Sequence, residues 1–282
     1  MNKLLFLLLA VSCASSRGET PAANPMPDGS RDMYAGLGVQ SAPRYDGTGS
    51  RKVTALPVLQ VEWSNGMFVS GMSAGMHLSN SPTLEYGPLL TVLPSRSESG
   101  SGNGADGIGT FAYAPMPGVV RVGVNPDRLS GMDDIPTRVA GGAFFNIYLD
   151  PQWRLTSSLL VGSGREHQGA RLELGVQRLA AVLGDRHRVS LGAGLTAVNR
   201  ADNQSYFGVS AAESLRSRFY SYEPGAGLQD LHADLRWNWA WTPSWMLTAR
   251  AQAKRLLGSA GHSPLVERSS NLTVSTAIAY RF

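Results

Sequence analysis

Residues 231–241 read LHADLRWNWAW, and this stretch limits the fold more than any other. Leu231, Ala233, Leu235, Trp237, Trp239 and Trp241 share one parity, and His232, Asp234, Arg236 and Asn238 share the other. A period of two belongs to a strand, whose successive side chains point to opposite faces. A soluble sandwich also alternates, but three indoles in a row on one face, with Trp245 just past "TP", would crowd a dry core. At a lipid–water boundary they fit, because each ring has an apolar body and a polar tip.

The same alternation recurs along the chain. Met33, Ala35, Leu37 and Val39 oppose Tyr34, Gly36, Gly38 and Gln40 near 33–42. Val53, Ala55, Pro57, Leu59, Val61 and Trp63 share a face near 52–63, and further strands read near 67–78 and 84–94. Trp153, Leu155, Leu159 and Val161 face one way in 152–161, as do Leu172, Leu174 and Val176 in 170–179 and Val189, Leu191, Ala193 and Leu195 in 188–198. The last stretch, NLTVSTAIAYRF, sets Leu272, Val274, Ile278, Tyr280 and Phe282 on one face. Segments of about ten residues, alternating and tilted, are the length that spans a bilayer as β-structure. With 282 residues, only 16% charged, and no run of 18 apolar residues, the chain holds no transmembrane helix. The expected fold is all-β: a transmembrane up-and-down antiparallel β-barrel over 32–282, whose apolar faces meet outer-membrane lipid.

Short turns at 64–66, 150–151, 183–186 and 242–244 are expected on the periplasmic side with both chain ends. All six tryptophans (Trp63, Trp153, Trp237, Trp239, Trp241 and Trp245) stand beside such turns, which predicts an aromatic girdle at one rim, shared by Tyr280 and Phe282. Counting from the start makes 84–94 a descending strand, and counting back from Phe282 makes 137–149 descending too. One ascending strand is therefore required between them, and GVVRVGVN at 118–125 is the candidate. The count is about twelve, with ten as the alternative if an early pair is one bent segment.

The N-terminus, MNKLLFLLLAVSCASS, reads as a cleaved export signal over 1–14: Lys3, an apolar core from Leu4 to Val11, then small residues. LAVSC also allows Cys13, the one cysteine of the chain, to become a lipidated first residue. Residues 15–31, rich in Pro, Ser and Ala, read as a disordered lead-in.

Few motifs carry chemistry. GMSAG at 71–75 has the G-x-S-x-G form, but a nucleophile elbow needs a helix after Ser73, and the segment alternates like a strand. GNGADG at 102–107 lacks the strand–turn–helix of a dinucleotide site and reads as a flexible loop. His77, His167, His187, His232 and His262 show no ligand spacing, so no metal, cofactor or catalytic residue is expected and the chain reads as a non-enzyme. A surface hydrolase would have to use His167 or His262. A net charge of +4 without a basic–aromatic block argues against nucleic acid. Seven charges are predicted to face the lumen: Arg171, Glu173, Arg188, Asp234, Arg236, Arg250 and Lys254. They either pair across the interior and plug it, or line a weakly anion-preferring channel.

Several stretches resemble one family. NQSYFGVSAAES, YEPGAGLQDLHADLRWNWAWTPSWMLTARAQAKRLLGSAGHSPLVER, GMDDI and the closing TAIAYRF, with GLGVQSAPRYDGTGSRKVTALPVLQVEW near the start, resemble the MipA/OmpV family of MltA-interacting proteins. The Gly/Ser-rich 95–125 region departs from its pattern. The resemblance implies an outer-membrane barrel of a Gram-negative bacterium without catalytic residues. It implies a scaffold role in murein synthesis and turnover, with a lytic transglycosylase and a penicillin-binding protein as partners. Porin-like channel and surface adhesin, the latter through loop 199–229 with a short helix at SAAESLRS, are the alternatives it offers. Ile278, Tyr280 and Phe282 resemble the C-terminal signal read by the barrel-assembly machinery.

Overall fold

The structure is a computed structural model and describes residues 31–79, 81–101, 128–183 and 186–282. The export signal, the lead-in up to residue 30, the GNGADG loop and the 118–125 segment lie outside the described residues, and residue 31, the last of the expected lead-in, opens the first strand.

Twelve strands close an antiparallel barrel among the described residues. In chain order they are β1 (Arg31–Pro43), β2 (Arg51–Trp63), β3 (Met67–Ser70), β4 (Ser73–Met76), β5 (Leu84–Leu93), β8 (Arg138–Tyr148), β9 (Trp153–Ser163), β10 (Gly169–Leu183), β11 (His187–Val198), β12 (Gly227–Ala240), β13 (Trp245–Leu256) and β14 (Ser270–Arg281). A separate two-stranded ribbon, β6 (Arg96–Ser97) with β7 (Gly100–Ser101), lies in the long connection after β5. The barrel closes where β1 meets β14, from Tyr34 opposite Arg281 to Ser41 opposite Val274. Closure leaves neither terminal strand with an open edge.

The outward positions are those of the apolar parity. Leu37, Val53, Leu159, Leu191, Leu231, Leu272 and Val274 are all exposed on the barrel wall. An apolar band of that extent is untenable in water and is what lipid-facing strands require. No helix among the described residues is long and apolar enough to cross a membrane; the strands are the crossing elements.

The expected total of twelve is reached by a different set of strands. Residues 67–78 form a hairpin rather than one strand, because the chain reverses at Gly71 and Met72. Gly71 has φ +58°, a left-handed conformation that glycine adopts without a steric penalty. The extra strand makes β5 rise toward the long loops, so 84–94 is not a descending strand. β5 then pairs directly with β8 from Leu84 opposite Ile147 to Leu93 opposite Arg138. Parity is satisfied, and the sheet has no position for a further strand between them.

Two kinds of end result. Short turns join β2 to β3, β8 to β9, β10 to β11 and β12 to β13 at one end. The Asn-Gly turn there is closed by the Gly66 N–H donating to the Trp63 carbonyl at 3.0 Å and by Asn65 Oδ1 accepting from Met67 N–H at 3.1 Å. The other end carries the long connections, including α1 (Arg200–Phe207), α2 (Ala211–Arg216) and α3 (Gly258–Gly261).

Those connections pack into a lid with its own core. Tyr45, Leu129, Met132, Val209, Phe219 and Leu265 form one buried cluster drawn from four separate connections between strands. A second cluster, Phe207, Leu256 and Ala260, seats α1 and α3 on the barrel rim. Helix starts are well satisfied. Asn199 caps α1 through Asp202 N–H, and Ser210 with Glu213 forms a reciprocal capping box on α2.

Candidate functional site

Beneath the lid the lumen is divided. On the side of β2, β12, β13 and β14, side chains fill the interior: Leu56 and Val58 are buried beside Arg236, Thr248, Arg250, Ser275 and Ala277. On the side from β2 through β10 a cavity of about 420 Å³ is left. Its wall combines carboxylates (Asp46, Glu62, Glu85, Glu173), guanidinium groups (Arg96, Arg154, Arg171) and the rings of Phe68, His77, Phe144 and Tyr206.

The seven predicted lumen charges fall on both sides of this division. Arg171 reaches Asp202 of α1 at 3.4 Å and Gln229 at 3.3 Å, tying the wall to the lid. Glu173 faces His232 at 3.5 Å, and that imidazole also contacts Asp230 at 3.0 Å. Lys254 pairs with Asp46 of the β1–β2 loop at 3.1 Å. Arg250 lies 4.0 Å from Asp234, next to the buried Arg236. Arg188 sits across from Asn238 near the short-turn end and is exposed. Most of these charges meet an opposite charge, and the basic excess is absent from the cavity lining, which holds four carboxylates and three guanidinium groups.

The sequence reading missed the charges of the first half. Glu85 accepts from Asn146 Nδ2 and from the Tyr148 hydroxyl, each at 2.9 Å, with Arg154 at 3.6 Å. Arg154 also donates to Gln177 at 2.8 Å. The signal lay in the second parity of each strand: Gln60 and Glu62 alternate with the outward residues of β2. That parity also carries Leu56 and Val58, and the two apolar residues masked the polar end.

The lid carries its own charged cluster. Glu213 is 1% exposed; it takes the Asp133 N–H at 3.0 Å, the Ser210 N–H at 2.8 Å and the Arg165 guanidinium. Burial pushes this carboxyl up, but the Arg165, Ser210 and Asp133 hydrogen bonds outweigh it and hold the group at about 2. Asp133 in turn accepts from Arg216 at 2.7 Å. Glu267, on the far side of the lid, is held low chiefly by the Gly49 N–H, against its burial, with help from Thr48 and Arg128.

The tryptophans gather at the short-turn end. Trp237, Trp239 and Trp241 stack in sequence at 6.1 and 6.0 Å, and His187 lies flat on the first two. Trp245 meets Tyr280 edge-on at 5.0 Å, and Tyr280 meets Phe282 at 4.9 Å. Trp153 lies under Arg178, and Trp63 ends β2. Ile278 is on the outward face of β14, and Phe282 N–H donates to the Met33 carbonyl at 3.0 Å.

The residues of the sequence motifs make these local contacts. The Ser73 hydroxyl bonds that of Thr91 at 3.0 Å on β4, with a strand rather than a helix following. His167 contacts Arg138 at 2.6 Å, and His262 contacts the Gly258 carbonyl at 2.7 Å. Among the described residues no group of three His, Cys, Asp or Glu side chains is placed to hold a metal.

The family model for MltA-interacting protein MipA matches residues 35–282. The chain belongs to this family. It is 23% identical over its full length, and over all of theirs, to the MltA-interacting proteins of Escherichia coli (strain K12) and Shigella flexneri. An outer membrane channel of Pseudomonas putida F1 aligns with TM-score 0.44 at 10% identity, covering 95% of this chain and 99% of that one. The NanC porin aligns with TM-score 0.44 at 9% identity, covering 90% and 100%. This MipA-family chain is a closed twelve-stranded antiparallel barrel among the described residues.

Proposed function

We propose that this MipA-family barrel is a non-enzymatic outer-membrane scaffold of cell-wall turnover in a Gram-negative bacterium. Its partners are a lytic transglycosylase and a penicillin-binding protein, engaged through the short-turn rim and the N-terminal segment. The observation that carries this reading is the lid. A mouth covered by loops with a continuous buried cluster is poorly suited to free solute flow, and it leaves the wall to lipid and the short-turn rim for partners. The names of the relatives, which are proteins that interact with MltA, support the same choice. The aromatic girdle sets the depth of the barrel, and Ile278, Tyr280 and Phe282 serve its insertion by the barrel-assembly machinery.

A photo-cross-linking residue at the exposed Gln152 of the β8–β9 turn is expected to capture a lytic transglycosylase in cells. Capture only from a lid position such as Tyr220, and none from the short-turn rim, would overturn the proposal. The channel reading has one observation in its favour, the 420 Å³ cavity. Steady conductance steps from the purified barrel in planar bilayers would favour it over the scaffold.

A further inference from the structure

One corner of the cavity, at the short-turn end, has a composition the scaffold reading does not use. Glu62 stands opposite Phe68 in the β2–β3 register, and both line the lumen. Phe68 meets His77 at 4.9 Å and Phe144 at 5.8 Å, and His77 meets Phe144 at 5.2 Å, so three rings form a continuous wall. Beside them Glu85 is already engaged by Asn146, Tyr148 and Arg154. Glu62 differs: no hydrogen bond or close ion pair engages it among the described residues, and the charges that act on it, His77 in attraction and Glu85 and Asp32 in repulsion, do so only at longer range.

The chemistry of such a corner is selective. Aromatic faces carry negative potential and attract a cation, more strongly where water is excluded. An uncommitted carboxylate adds the counter-charge at short range. An anion would be repelled by Glu62 and by Glu85, while the guanidinium groups around the corner are already engaged, Arg154 by Glu85, Gln177 and Tyr148 and Arg281 by Asp32. A neutral guest would strip water from the carboxylate and return nothing to it. The volume of about 420 Å³ lies in the range of small-molecule sites. The His77 and Glu85 side chains keep 28% and 25% of their exposure, so open space is left against them for a guest.

We propose that this corner binds a small organic cation, an alkyl- or arylammonium, with Glu62 as counter-ion and Phe68, His77 and Phe144 as the aromatic wall. The site stands independently of the scaffold role. The test is calorimetric titration of the full barrel, folded in detergent, with benzyltrimethylammonium chloride. Saturable binding is expected, weakened by about tenfold or more in Glu62→Gln and several-fold in Phe144→Leu, and largely kept in Glu62→Asp. Sodium benzoate and glucose are expected not to compete. Heat-modifiable migration on gels checks that each variant is folded; if Glu62→Gln is not, Glu62→Asp and Phe144→Leu carry the test. Unchanged affinity in the folded variants, tighter binding of benzoate, or no ammonium binding by the wild-type barrel would overturn the proposal.

Discussion

Replacing Glu213 by Gln changes one atom of the lid and halves an acceptor that three donors share. The carboxylate serves two backbone N–H groups, of Asp133 and Ser210, and the Arg165 guanidinium. An amide of the same shape keeps one acceptor oxygen and turns an NH2 toward a donor. A hydrogen bond to a charged group contributes about 1.5–3 kcal/mol. Arg165 is 26% exposed, so its share is screened, and a net loss of about 2 kcal/mol is the reasonable expectation. The loss falls on the lid rather than the wall, because Glu213 links α2 to the 129–135 loop and to Arg165 after β9. Amide exchange in residues 129–135 and 205–222 should therefore accelerate about 30-fold, while strand amides keep their protection. The pH dependence gives an independent check. The folded value, about 2, lies below the ordinary 4.5, so this contribution is complete above about 4.5 and is lost as pH falls toward 2. Wild-type lid protection should decline across that window, and Glu213→Gln should lack that part of the decline. Lid exchange in the variant equal to wild type at pH 7 would show that Glu213 does not hold the lid closed.

Other perturbations address the wall. At Gly36, an added Cβ would lie 2.1 Å from the Ile278 carbonyl oxygen and 2.6 Å from Ala279 Cα, so Gly36→Val should prevent β1 from closing on β14 and abolish heat-modifiable migration. Asp234→Ala leaves Arg250 and the buried Arg236 without their neighbouring carboxylate and should lower barrel stability by about 3 kcal/mol, read as a lower unfolding midpoint in urea. Trp239, in the outer indole stack, should be quenched more by lipids brominated near the headgroup than at the chain end; Trp239→Ala should remove a large part of that difference.

The barrel was legible in the sequence because lipid imposes one rule on every strand. Outward residues must be apolar, so the period of two survives in Leu231 to Trp241 and in Leu272 to Phe282. The β3–β4 hairpin was not legible: its strands have four residues each, too few to show a period, and reversal rests on the conformation of Gly71. The closed mouth was hidden for a different reason. Leu129, Val209 and Leu265 come from distant stretches without periodicity, and their burial is a product of tertiary contact alone. The charges near the ligand corner were hidden by parity, since a lumen-facing register has no uniform chemistry and Glu62 shares its face with Val58 and Leu56.

The lid also determines from which side anything can reach the lumen. Leu129, Ile135, Val209 and Leu265 are each no more than 1% exposed. Burying an aliphatic side chain contributes about 1.5–3 kcal/mol, so exposing these four together would cost roughly 6 kcal/mol even at the low end. Allowing that the loops collapse partly when freed, the open fraction still falls to the order of one in a thousand or below. Traffic through the long-loop mouth would need a partner or ligand that binds the open lid preferentially, since binding that does not distinguish the two states shifts nothing. Toward the short-turn end the buried cluster of the described residues, Val58, Ala277 and Ala279 with Tyr34 and Met246, lies on the filled side of the lumen, while His77 and Glu85 on the cavity side keep part of their exposure. A ligand for the Glu62 corner therefore has its low-cost approach on the same side that the scaffold reading assigns to protein partners. A partner seated on that rim and an ammonium in the cavity would then compete for access, and measuring either in the presence of the other would reveal it.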